Sequence, residues 1–312
     1  MGKLDKVKYK IEDHMLLGSV YDNIMMKTKY RNKKLSFLYN VMVAQKHRML
    51  YYKQLRRKYM DRCSPVWEKQ PKAANNDTIW FCWLQGIEEA PLLVKRCLES
   101  LRKNIPDKKI IVIDGNNLGE YVNMPDYITD KWHRGIIGNA HFSDLLRLEL
   151  LIEKGGYWID ATVLCTDSKM LEFIDKQPLF LYSFYYFGFN PEIMELNNWF
   201  IKSCTNNNIL CLLRELLYTY WAENDRAKDY FLTQLFLTMA VEYYKEEYNR
   251  MPIVSQVDSH ILATYIAEPY DEDKYALLKQ TTGFHKLSTR FEAESIQTKD
   301  CFYDVVINRG EY

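Results

Sequence analysis

One segment constrains this chain more than any other: Ala140–Val163, AHFSDLLRLELLIEKGGYWIDATV. Its first half is mostly Leu and Ile at helical spacing. Gly155-Gly156 then stops the helix, glycine being the residue that most readily takes a left-handed exit. The run that follows, Tyr157–Leu164, is aromatic and β-branched and reads as a buried strand. Asp144 and Arg147 lie three apart and share one helix face. Because the helix is so apolar, that face turns inward, and Asp160 is delivered by the strand to a sheet edge.

The neighbouring sequence repeats this alternation. Thr78–Leu84 (TIWFCWL) reads as a strand, Pro91–Asn104 as a helix, and Lys109–Ile113 (KIIVI) as a strand ending in the turn Asp114–Asn117. Helix Asn139–Lys154 and strand Tyr157–Leu164 complete the series. Strands alternating with helices predict an α/β fold with a mixed, mainly parallel sheet flanked by helices. Ligands of such sheets bind beyond the carboxyl ends of the strands, where Asp114 and Asp160 fall. Further on come the strand-like LFLYSFYYFGF and helices over 208–222 and 229–246.

Before this core the character changes. Residues 1–70 hold 17 Lys and Arg against 6 Asp and Glu, a balance of +11, although the whole chain carries only +1. Leu35–Met60 has helical periodicity through Leu38, Val41, Met42 and Leu50, with Lys and Arg on the polar side. Residues 1–70 are therefore expected to form a basic helical extension and 71–312 the main domain, joined by a Pro- and Asn-bearing linker over Cys63–Asp77. The extension suits an anionic membrane surface, a solvated helical cap or dimerisation arm, or nucleic acid. No RNA- or DNA-binding signature accompanies it, so no nucleic-acid partner is expected. Seven scattered cysteines without a CxxC pair point to reduced thiols. The start lacks the apolar run of a signal peptide, and no apolar run reaches the ~18 residues of a membrane span. A cytoplasmic location follows as the expectation.

GxGxxG, GxxxxGK[ST] and HExxH are all absent, which removes the usual dinucleotide, P-loop and zinc-protease readings. Carboxylates at strand ends suit a hard cation with a diphosphate, or a ribose. Taken alone, Asp144–Arg147 would be a structural ion pair, Trp83 a core tryptophan and Asp229 an ordinary acidic helix start.

HFSDLLRLELL followed by GGYWIDATV resembles the capsular polysaccharide synthesis proteins of glycosyltransferase family 32, as do TIWFCWLQG and GFHKLS. The resemblance covers roughly residues 75–290. It implies a GT-A, Rossmann-like fold, a nucleotide-sugar donor, Mn²⁺ or Mg²⁺, a glycan or lipid-linked acceptor, and transfer of a hexose with retention. By position it implies that Asp160, Asp144 and Arg147 are catalytic, with Trp83, Asp144, Arg147 and Lys286 holding the donor; Asp114, at its strand end, is expected to join them. The metal would be held by Asp160, Thr162 and His285. Thr162 departs from the DxD pattern, since a hydroxyl is a weaker ligand for a hard cation than a carboxylate. That departure also admits a catalytically inactive scaffold of the same fold.

Overall fold

The computed structural model describes residues 16–29, 32–62, 76–184, 196–291, 296 and 298–312. Most of the expected linker (63–75) and the second half of LFLYSFYYFGF (185–189) lie outside them. Contacts divide the chain into two compact units, Met1–Leu55 and Arg56–Tyr312.

Helices α1 (Leu16–Thr28) and α2 (Lys33–Tyr59) lie in the basic part of the sequence. The first unit has a polar pin: the Tyr39 hydroxyl donates to Asp22 Oδ1 at 3.1 Å, and His47 Nε2 lies 3.3 Å from Asp22 Oδ2. Leu35, Phe37, Leu38 and Met42 of α2 are exposed.

The second unit is α/β. Its main sheet, among the described residues, has the order β2-β1-β3-β6-β5. The strands are β1 (Ile79–Cys82), β2 (Ile110–Ile113), β3 (Gly156–Ile159), β5 (Leu179–Ser183) and β6 (Leu196–Ser203). β2, β1 and β3 are parallel; β6 runs antiparallel to both β3 and β5. β1 and β3 are buried at all four positions, as central parallel strands covered on both faces must be. A second, two-stranded ribbon pairs β4 (Val163–Cys165) with β7 (Phe284–Lys286).

Strand alternation sorts the core into two layers. Ile79, Phe81, Tyr157 and Ile159 join one apolar cluster, which also takes in Leu93, Val94, Cys97 and Leu101 of α3 (Leu92–Asn104). Beyond α4 (Asp126–His133), α5 (Asn139–Glu153) packs on β1, β3 and β6, on the side that Trp158 faces. α6 (Asn208–Glu223) packs on α5, and α7 (Leu232–Tyr243) on α6 and β6. α8 (Val257–Tyr265) lies against β7 and α9 (Glu272–Thr281) against α8. α5 buries Phe142, Leu145, Leu146, Leu148, Leu150, Leu151 and Ile152. Each such side chain is worth about 1.5–3 kcal/mol relative to exposure, which makes the helix a rigid platform for its polar residues.

The expected single strand Tyr157–Leu164 is two strands in two sheets. Asp160-Ala161-Thr162 turns between them: Asp160 N–H still donates to Trp199 O at 2.9 Å, while Val163 N–H folds back to Asp160 O at 3.0 Å. Fully buried strands on both sides conceal the turn, which in sequence only Asp160 and Thr162 mark.

Candidate active site

The carboxyl ends of β1 and β3, the start of α5, β6 and α7 enclose a cleft of about 330 Å³. Trp83 follows β1 into its wall, Asp144 and Arg147 come from α5, and Asp160 and Thr162 come from the turn after β3.

Arg147 is the hub and is 5% exposed. Its Nη2 lies 3.2 Å from Asp144 Oδ1, 3.3 Å from Asp160 Oδ1 and 3.1 Å from Ser143 Oγ. Nε donates to Ser143 O at 3.3 Å, Nη1 donates to Asn198 O, and the guanidinium stacks over the Trp158 ring at 4.8 Å. Only a planar fork of donors reaches this many partners at once. Asp144 is held from three further sides. Asn198 Nδ2 donates to its Oδ1 at 2.9 Å and Thr233 Oγ1 to its Oδ2 at 2.6 Å, while His141 Nδ1 is 3.8 Å away.

Asp160 Oδ1 accepts from Trp158 Nε1 at 2.9 Å, and Oδ2 accepts from Lys286 Nζ at 3.0 Å. The same ammonium donates to Thr162 Oγ1 at 2.6 Å. Burial pushes the Asp160 carboxyl up, but Lys286, Arg147 and the Trp158 hydrogen bond outweigh it and hold the group below the usual carboxylate range. Asp160 is therefore ionised at neutral pH.

Of the residues expected at the site, five converge here as side chains: Trp83, Asp144, Arg147, Asp160 and Thr162 line the cleft, and Lys286 joins two of them. Two stand apart. Asp114 ends β2, but its Oδ1 accepts from the backbone N–H groups of Asn116 and Asn117 at 2.7 and 3.0 Å, closing its own turn. His285 is fully buried, with Nε2 3.1 Å from Thr166 Oγ1. Adjacent residues of a strand point to opposite faces, so β7 sends Lys286 to Asp160 and His285 away from it. Burial lowers the His285 imidazole to about 4, so it is neutral. Asp160, Thr162 and His285 thus do not form one ligand set, and among the described residues no group of three or more His, Cys, Asp or Glu is placed to hold a metal ion. Asp229 accepts from the Phe231 N–H at 2.8 Å just before α7, as a helix-start residue would.

The sequence motifs did not mark Asn198, Thr233, Gln234, Tyr230 or Arg290. Gln234 Nε2 donates to Asn198 Oδ1 at 3.0 Å, extending the network behind Asp144. The signal was present as Asn197-Asn198 inside the apolar strand β6 and Thr233-Gln234 inside the apolar helix α7. Polar groups at buried positions need partners: Asn198 finds Asp144 and Gln234, Thr233 finds Asp144 and Asn197 finds Gln256.

The model of the capsular polysaccharide synthesis protein family matches residues 30–306. The chain belongs to that family. The family match thus begins within the basic segment, ahead of the span 75–290 on which the motifs are spread. Among curated proteins, glycosyltransferase afumC of Aspergillus fumigatus is 26% identical over 159 residues, covering 46% of this chain and 40% of that protein. The chain thus matches well under half the length of that relative. Among solved structures, one titled PaToxG Glycosyltransferase aligns over 83% of this chain and 90% of its own, with 13% identity and a TM-score of 0.38, a distant likeness.

Proposed function

We propose that the chain transfers a sugar from a nucleotide-sugar donor to a hydroxyl of a glycan or lipid-linked acceptor, in the synthesis of a surface polysaccharide. The observation that carries this reading is the convergence of Asp144, Arg147 and Asp160 in one cleft at the carboxyl ends of parallel strands, with Lys286 hydrogen-bonded to Asp160 behind them. Family membership supports it.

In the reaction, the bond between the donor's anomeric carbon and the diphosphate oxygen breaks, and its electron pair leaves with the diphosphate. The acceptor oxygen forms the new bond, and its proton departs with the diphosphate. Cations aimed at that oxygen stabilise the charge that develops there, ordinarily the largest contribution to catalysis of such transfers. Trp83 offers a face for the base. Asp144 offers an anionic acceptor for sugar hydroxyls, kept in place by Asn198 and Thr233. Both oxygens of Asp160 and both of Asp144 are engaged in hydrogen bonds, which disfavours either as a nucleophile. We therefore favour delivery of the acceptor to the face that the diphosphate leaves, with retention of configuration.

Nucleoside diphosphate release from a panel of nucleotide sugars tests this. One donor should turn over, and Asp160→Asn should lower turnover by about 10²-fold or more with near-UV circular dichroism unchanged. A chain that binds donors and turns over none is the inactive scaffold. Absence of both binding and turnover ends the donor reading.

A second reading concerns location. Exposed Leu35, Phe37, Leu38 and Met42 sit in a segment that also supplies the +11 balance of residues 1–70. Apolar side chains beside many cations suit the surface of an anionic bilayer, where a lipid-linked acceptor would be found. Among the described residues, no helix is long and apolar enough to cross a membrane.

A further inference from the structure

We propose that the Lys286 ammonium is the fixed cation of this site, and that the chain holds the diphosphate of its donor without a divalent metal. The inference rests on the donor reading above and concerns what faces the diphosphate.

The position between Asp160 and Thr162, where the DxD pattern would seat a metal, is taken by Lys286 Nζ. Its 3.0 and 2.6 Å separations from Asp160 Oδ2 and Thr162 Oγ1 are those of charge-assisted hydrogen bonds. The other Asp160 oxygen is committed to Trp158 Nε1, with Arg147 close by. A hard divalent cation seeks about six oxygen ligands, and at a phosphate site one or two protein carboxylates join waters and phosphate oxygens in supplying them. Asp144, the other acid in the cleft wall, is tied to Asn198, Thr233 and Arg147. The histidine that the resemblance adds to the set is buried on the far side of β7.

Nor is Lys286 a loosely tethered surface lysine. Its strand is registered against β4, with Lys286 opposite Val163 and the Leu287 N–H donating to Thr162 O at 2.8 Å. The backbone that carries the hydroxyl is hydrogen-bonded to the backbone that carries the ammonium, so the cation is preorganised. The charges agree. Asp144 and Asp160 are balanced by Arg147 and Lys286, and the cleft wall adds the exposed Arg290. One positive charge is left over, which favours an anionic ligand over a second cation.

Isothermal titration of the full chain with UDP, GDP and ADP, and with the matching monophosphates, decides the matter. Each is run in excess EDTA and again with Mn²⁺. The diphosphate that binds should do so with the same affinity in both conditions, to within about twofold. It should bind more tightly than its monophosphate. Lys286→Ala should remove that advantage, weakening the diphosphate by about tenfold or more, as expected for a lost charged hydrogen bond. Lys286→Arg should restore part of it, which separates charge from loss of fold. Diphosphate binding at least tenfold weaker in EDTA than with Mn²⁺ overturns the lysine assignment while leaving the donor reading intact. So does undiminished diphosphate binding by folded Lys286→Ala. If no diphosphate binds in either condition, both readings fall together.

Discussion

Arg147 shows how much one side chain settles. It is buried, and two carboxylates, one hydroxyl, two carbonyls and an indole face surround it. Arg147→Lys keeps the charge but cannot fork to these partners. It is expected to cost about 1–3 kcal/mol of stability, the range for buried acceptors left without a hydrogen bond, and to weaken donor binding. Urea denaturation with calorimetry of the folded variant checks both. If Arg147→Lys matches the native chain in stability and affinity, the hub is ornamental. His285 makes a different prediction. Its imidazole titrates at about 4 in the folded chain, below the ordinary value of 6.5. Between these pH values the unfolded chain takes up a proton that the folded chain refuses, so stability falls as pH drops from 6.5 towards 4. The loss approaches about 3 kcal/mol. His285→Gln has no such proton to take up, so its stability curve across that window should be flatter. An equally steep curve would mean that other groups govern the acid limb.

At the scale of elements, the Gly155-Gly156 stop is sharper than helix termination requires. Gly156 has φ +94°, and a Cβ there would lie 2.4 Å from Thr78 O. Gly156→Ala is expected to cost at least about 2 kcal/mol, from backbone strain plus the push against β1. A melting temperature within a degree of the native value would refute the close approach. The same stretch shows what sequence makes legible. Alternating periodicities disclosed β1, α3, β2 and α5, because each presents an amphipathic or wholly apolar pattern bounded by polar turns. Asp144, Arg147, Asp160 and Lys286 were legible through spaced motifs. The division of Tyr157–Leu164 was not, since its polar marks, Asp160 and Thr162, equally fit one strand ending at a sheet edge. The side from which β7 presents its residues was equally hidden. It depends on pairing with β4, more than a hundred residues earlier, and that register alone places Lys286 in the site and His285 outside it.

For the whole molecule, charge asymmetry is the feature that composition exposes and the core does not need. The +11 of residues 1–70 sits on a remainder with 25 Lys and Arg against 35 Asp and Glu. Each basic side chain near an anionic surface is worth about 1 kcal/mol and loses its effect within a Debye length. The full chain is expected to co-sediment with liposomes containing phosphatidylserine or phosphatidylglycerol, to detach as salt rises, and to ignore neutral liposomes. Phe37→Asp with Leu38→Asp should weaken the binding without changing donor turnover. A chain that stays in the supernatant with anionic liposomes at low salt has no such affinity.

The distance along the chain between Asp160 and its cation has a kinetic corollary. The two are 126 residues apart, whereas Asp144, Arg147 and Asp160 lie within a single helix–strand unit. Local pairings form early, and loops this long close late. A refolding chain should recover its helical signal before the β4–β7 ribbon zips. In that interval it carries two acids and a single arginine in the nascent pocket and repels the anion it is built to hold. Affinity for a nucleoside diphosphate should therefore return as the last phase of refolding, reporting ribbon closure.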